Sequence, residues 1–274
     1  MRVKIALYFL LFVPIFSFAQ EIRVSSPEEF VAAIQNGVTI ILKSGTYNLS
    51  SVMSDQKSNT IWKDVTDGYE LQIHDVSNLT IKSEGKVTIV VKPRYAWVLA
   101  FYNCRNISIS GITFGHLESG YCDGGVLGFV GCNGIDIVNC VLYGSGKEGL
   151  GIESVDNFIF KNSTIRDCSY DLMTIIGSSS LLFENVLFTK TGEFNLIDTE
   201  RSTDVRFFKC SFTENRNSEF MPYFFSFGDD SGVFTLEKCK FINNQVGYLS
   251  NKSEKLKLKK CSFTGNTFVD IKNK

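Results

Sequence analysis

The chain has 274 residues, 13% of them aromatic, with 28 Lys and Arg against 29 Asp and Glu. This slightly acidic balance excludes a nucleic-acid binder, which needs a basic excess on one face to neutralise phosphates. Eight cysteines and two histidines without a Cys-x-x-Cys spacing make no zinc-type ligand set, so neither metal nor cofactor is expected.

Arg2 and Lys4 precede an apolar run from Ile5 to Phe18 and a small-x-small site at Ser17-Phe18-Ala19. That is the pattern of a signal peptide over residues 1–19, shorter than the roughly 20 apolar residues of a spanning helix. The expectation is an exported protein (secreted, periplasmic or cell-surface) with no membrane span after cleavage and one domain over 20–274. Ser26-Pro27-Glu28-Glu29-Phe30 opens an amphipathic stretch to Ile34, with Pro27 suited to the first helical position, so a short cap helix is expected. Thr39-Ile40-Ile41-Leu42 then leads to Gly45-Thr46-Tyr47, and Ser50 to Gly68 reads as a loop.

From Leu79 onward the chain repeats. Apolar pairs two apart, such as Ile107/Ile109, Ile135/Ile137, Phe158/Phe160 and Leu256/Leu258, mark one strand per coil. Three residues later stands a column of Ile112, Cys140, Ser163, Val186, Cys210, Cys239 and Cys261, spaced about 22 to 29 residues apart as in a solenoid. Two further on, Phe114, Leu142, Ile165, Phe188, Phe212, Phe241 and Phe263 form a second buried column. The cysteines in the first column read as small buried hydrophobes rather than a disulfide framework. Cys104 and Cys132 form another stacked pair, the one place where a bridge is weighed against free thiols. Asn215, Asn244 and Asn266 fall in register and read as a turn ladder, because asparagine tolerates left-handed backbone. Thr267 to Ile271 reads as a final strand before the polar tail Lys272-Asn273-Lys274.

These columns resemble the right-handed parallel β-helix, or pectate-lyase-like, superfamily over essentially the whole mature chain. The resemblance implies an all-β solenoid of about 8–9 coils behind a short N-terminal cap helix. No enzyme family within it is matched. Gly228-Asp229-Asp230 is similar to an element of polygalacturonases, but its companion motifs are missing, so it reads as a turn.

The departures from the repeat hold the candidates for chemistry. The longest insertion follows Phe114 and carries His116, Glu118, Tyr121 and Asp123 among glycines, as a binding loop on a rigid scaffold would. Counting back from the first strands puts Phe129, Ile152, Ile175 and Thr199 in one register, with Gly125, Glu148, Asp171 and Asn195 four residues earlier. Glu148 and Asp171 are then expected about 4.8 Å apart, where one carboxyl holds its proton more tightly, with Lys147 and Arg166 nearby in sequence. The catalytic candidates are Glu148, Asp171, Lys147, Arg166, His116 and Asp123; Glu118, Tyr121, Tyr143, Tyr170 and Asn195 are the substrate-binding ones. Trp97, Tyr95, Tyr102 and Tyr223 are further aromatic candidates for a sugar-binding groove. Three functions stay open: a protein that binds polysaccharide or glycan near the His116 loop, a polysaccharide lyase or glycoside hydrolase using the Glu148/Asp171 and Lys147/Arg166 cluster, and a structural or protein-interaction module. A carboxylate salt-bridge stripe is the plain alternative for the cluster.

Overall fold

The computed structural model describes residues 20–52, 59–118, 122–144 and 146–271. The expected 1–19 signal peptide, Tyr121 and the 272–274 tail lie outside them. Among the described residues no helix is long and apolar enough to cross a membrane.

The repeat winds into a parallel β-solenoid. Each coil contributes a strand to three sheets, and equivalent residues stack along the axis. The register follows the sequence columns: Ile107 pairs with Ile135, Ile135 with Phe158 and Phe158 with Leu181 in the first sheet. In the second, Phe114, Leu142, Ile165, Phe188, Phe212, Phe241 and Phe263 pair in succession. Their rings stack face to face, with Phe212 centroids 4.8 Å from Phe188 and 4.7 Å from Phe241. Strands Val38–Asn48, Ser77–Val91 and Arg105–His116 run unbroken from the first sheet into the second. The third sheet has nine strands, eight parallel and one antiparallel at its edge. Eight coils result.

The N-terminal cap forms as its sequence dictates. Pro27–Ala33 is an α-helix whose Glu29 N–H donates to the Ser26 hydroxyl at 3.2 Å, and it buries Phe30 and Val31 over the first coil. Part of the expected loop from Ser50 to Gly68 is a strand instead. Thr60–Val65 is a strand pairing antiparallel with Gly68–His74, because its β-branched and aromatic residues reach an otherwise open edge.

At the other end the expected final strand from Thr267 to Ile271 does not form. Phe268 turns inward against Phe224, Phe241 and Phe263, while Asp270 accepts from the Leu249 N–H at 2.8 Å and the Ser250 N–H at 3.3 Å. A carboxylate thus satisfies edge donors that would otherwise be open to another chain.

Asn215, Asn244 and Asn266 form a buried ladder, but not by left-handed backbone. That conformation falls one residue earlier, at Glu214, Asn243 and Gly265. The amides bond along the axis, Asn215 Nδ2 to Asn244 Oδ1 at 3.0 Å and Asn244 Nδ2 to Asn266 Oδ1 at 2.7 Å. Each also donates to a core phenylalanine carbonyl in the coil before it, Phe188, Phe212 and Phe241 in turn. Among the described residues all eight cysteines are free thiols. Cys104 and Cys132 are stacked without a bridge, the Cys104 N–H donating to Cys132 Sγ at 3.4 Å.

Candidate functional site

Two consecutive residues enter the core at the start of most third-sheet strands: Val126 with Leu127, Leu172 with Met173, Leu196 with Ile197, Phe224 with Phe225. The doubled inward step turns the preceding residue outward. Gly125, Glu148, Asp171, Asn195 and Tyr223 therefore share one row on the outer face, and Gly128, Gly151, Thr174, Asp198 and Ser226 form the next. In the Glu148 coil the first inward place belongs to Gly149, where a Cβ would lie 2.3 Å from Ile165 Cγ2.

The glycines of these rows are a floor. The indole of Trp97 lies across them: a Cβ on Gly125 would fall 2.3 Å from its ring, on Gly151 2.6 Å and on Gly128 3.2 Å. The backbone N–H of Trp97 donates to Glu70 Oε2 at 2.9 Å, and Glu70 Oε1 accepts from Gln72 Nε2 at 2.7 Å. Gln72 also bonds His74 at 3.0 Å, and His74 stacks on Tyr102. His116 braces the same segment from the second sheet. It is 3% exposed, and its Nε2–H donates to the Ala96 carbonyl at 2.8 Å. Burial holds its pKa below the ordinary value, so it is neutral, with Nδ1 unpartnered among the described residues.

Glu148 pairs in register with Asp171, as the count predicts, and the two are 2% and 4% exposed. Lys147 Nζ lies 3.4 Å from Glu148 Oε1. Glu148 Oε2 and Asp171 Oδ1 are buried with no hydrogen-bond partner among the described residues. Burial raises both carboxyls; for Asp171, burial first and the neighbouring Glu148 second push the pKa up to about 8. Asp198, which accepts from Asn195 Nδ2 at 3.2 Å, is also raised by burial. A cavity of about 200 Å³ is lined by Trp97, Tyr102, Lys147, Glu148, Gly151 and Glu153 among others. It shares Thr174 and Ile176 with a second, of about 480 Å³, that continues to Asp198, Glu200, Asp229 and Asp230. Together they make one groove along the solenoid axis.

Of the residues singled out in the sequence, Glu148, Lys147, Trp97 and Tyr102 line this groove; Asp171 is buried in register with Glu148, and Asn195 holds the groove residue Asp198. Arg166 and Tyr143 sit on the second sheet, where the guanidinium lies 4.9 Å from the Tyr143 ring centre and pairs with Asp167. Tyr170 stacks on Phe194 at 4.4 Å at the corner between the sheets. Asp123 and Glu118 are exposed on the insertion, and Tyr121 lies outside the described residues. Sequence reasoning missed Asp198 and the glycine floor. Its signal was present as glycines at outward strand positions, where a β-branched residue is the norm.

A family profile described as the right handed beta helix region matches residues 97–268. The chain belongs to the right-handed β-helix family. Among solved structures this β-helix is similar to ORF18 of Geobacillus virus E2, with TM-score 0.50 and 10% identity over 89% of this chain and 58% of that one. It is also similar to a pectate lyase from Paenibacillus sp. 0602, with TM-score 0.48 and 11% identity over 82% and 78% of the two chains. An alginate lyase from a Paenibacillus species gives TM-score 0.46 and 13% identity over 88% and 99%. At these identities the likeness is one of fold. No curated protein matches the sequence.

Proposed function

We propose that this β-helix is an exported protein that binds an extended saccharide along the outer face of its third sheet. The observation that carries this reading is the Trp97 indole laid over Gly125, Gly128 and Gly151 beside the buried Glu148 and Asp171. An aromatic platform offers an apolar face to sugar C–H groups, and Lys147 and the exposed Glu153 in the cavity wall offer bonds to hydroxyls. The groove's continuation past Thr174 to Asp230 suits a chain rather than a monosaccharide. His116 acts here by fixing Ala96 and so the start of the Trp97 strand. Titration with a panel of oligosaccharides, read by tryptophan emission, tests the reading; absence of binding to every member rules it out.

A hydrolytic reading is favoured by one further observation, the raised proton affinity of both carboxyls. Adjacent strands set the two backbones about 4.8 Å apart, a spacing that allows the roughly 5 Å carboxyl separation of retaining glycosidases. One carboxylic acid would protonate the glycosidic oxygen while the other carboxylate attacks the anomeric carbon, and water then releases the sugar. Elimination by Lys147 with Arg166 has less support, since Arg166 is on the second sheet and paired with Asp167. Release of reducing ends by the protein, abolished in Glu148→Gln, is the expected signature of hydrolysis.

A further inference from the structure

The charge along the groove has one dominant sign. Its two cavities are lined by Glu148, Glu153, Asp198, Glu200, Asp229 and Asp230, and by Lys147 as the single cation among the described residues. Three of the carboxylates have cationic partners: Glu148 has Lys147, Glu200 has Arg201 and Asp229 has Lys252. Glu153, Asp198 and Asp230 have no ion-pair partner among the described residues, and neither does Asp171. Asp198 stands on the sheet floor one row from Asp171, held by Asn195.

We propose that the groove selects saccharides bearing free amino groups over uronate polysaccharides. This deepens the saccharide reading and rests on it. A uronate chain would bring a row of carboxylates against Glu153, Glu200, Asp229 and Asp230, and like charges brought together in a partly dry cleft disfavour binding strongly. An ammonium group reverses the sign of that term and meets the groove carboxylates as a charge-assisted donor. Stacked coils repeat the acidic positions along the axis, as amines repeat along a glucosamine chain.

The test compares three hexasaccharides with the full protein in mildly acid buffer: a glucosamine hexamer, cellohexaose and an oligogalacturonate. Binding is followed by calorimetry and tryptophan emission. The expected result is a glucosamine hexamer bound at least about tenfold tighter than cellohexaose, a gap that narrows with added salt, and no measurable uronate binding. Glu153→Gln, which removes an exposed carboxylate of the groove that has no ion pair among the described residues, is expected to shrink the amino-over-neutral ratio. If cellohexaose or the uronate binds as tightly as the amino sugar, this inference is overturned and saccharide binding stands. If none of the three binds, both fall.

Discussion

Glu148 and Asp171 occupy equivalent positions of consecutive coils, and each keeps one carboxyl oxygen buried without a hydrogen-bond partner among the described residues. Water would satisfy those oxygens at less cost, so the pair lowers the stability of the empty protein in order to present acids in a groove. A solvated salt-bridge stripe would instead expose both groups and pair each with a cation.

The first prediction concerns pH. The unfolded chain releases the Asp171 proton near the ordinary 3.8, whereas the folded protein holds it to about 8. Between those values the native state binds more protons than the unfolded one, so stability falls as pH rises through the window. Asp171→Asn should therefore be more stable than the parent at the alkaline end, on the order of 2 kcal/mol or about 4 to 8 °C in Tm, with the gap closing toward the acid end. Thermal melts across the window check this, and a pH-independent offset counts against it.

His116 should give the opposite slope. Burial depresses its pKa from 6.5, so the unfolded chain takes up a proton that the folded protein refuses, and stability drops as pH falls through 6.5. His116→Leu should lose that acid limb and destabilise by about 1 to 3 kcal/mol at neutral pH, because the Ala96 carbonyl loses its donor. Tryptophan emission should shift as well, since Ala96 adjoins Trp97.

Gly151→Ala probes the platform. A Cβ there meets Trp97 Cη2 at 2.6 Å and lifts the indole from its floor. Emission should change with little loss of stability, and saccharide affinity should drop about tenfold, equivalent to about 1.4 kcal/mol. Trp97→Ala should do at least as much. Unaltered affinity in both variants would remove the platform from the argument.

In the scaffold, Asn244→Ala should cost about 2 to 4 kcal/mol. It strips the Asn215 amide and the Phe212 carbonyl of buried partners at once and removes the side-chain donor from Asn266 Oδ1, which keeps the backbone N–H of residue 244. Phe212→Ala should cost about 3 to 5 kcal/mol by opening the stack between Phe188 and Phe241. Denaturant melts measure both, and binding at temperatures where the variants are folded should be retained.

Period-two apolar pairs, the Ile112 to Cys261 column and the Phe114 to Phe263 column made the solenoid and its register legible. The pairing of Glu148 with Asp171 came from counting alone. It held because a parallel stack converts sequence offset directly into position. The cap helix was equally local, written in Ser26, Pro27 and Glu29. The misreadings fell where that translation breaks. Thr60–Val65 became an edge strand and Thr267 to Ile271 did not, since each outcome depends on what a distant edge leaves unpaired. Arg166 looked like a neighbour of Lys147 but belongs to another sheet, because a corner separates residues that sequence distance joins.

By itself, then, the sequence determined which residues stack on which, since one coil's length sets the register of the next. Only the tertiary structure decided which way they face. The doubled inward residues such as Leu172 and Met173 flip the alternation and turn Asp171 outward. The fall of the Trp97 ring across glycines from two later coils then makes a groove of what the sequence shows only as gaps in the repeat.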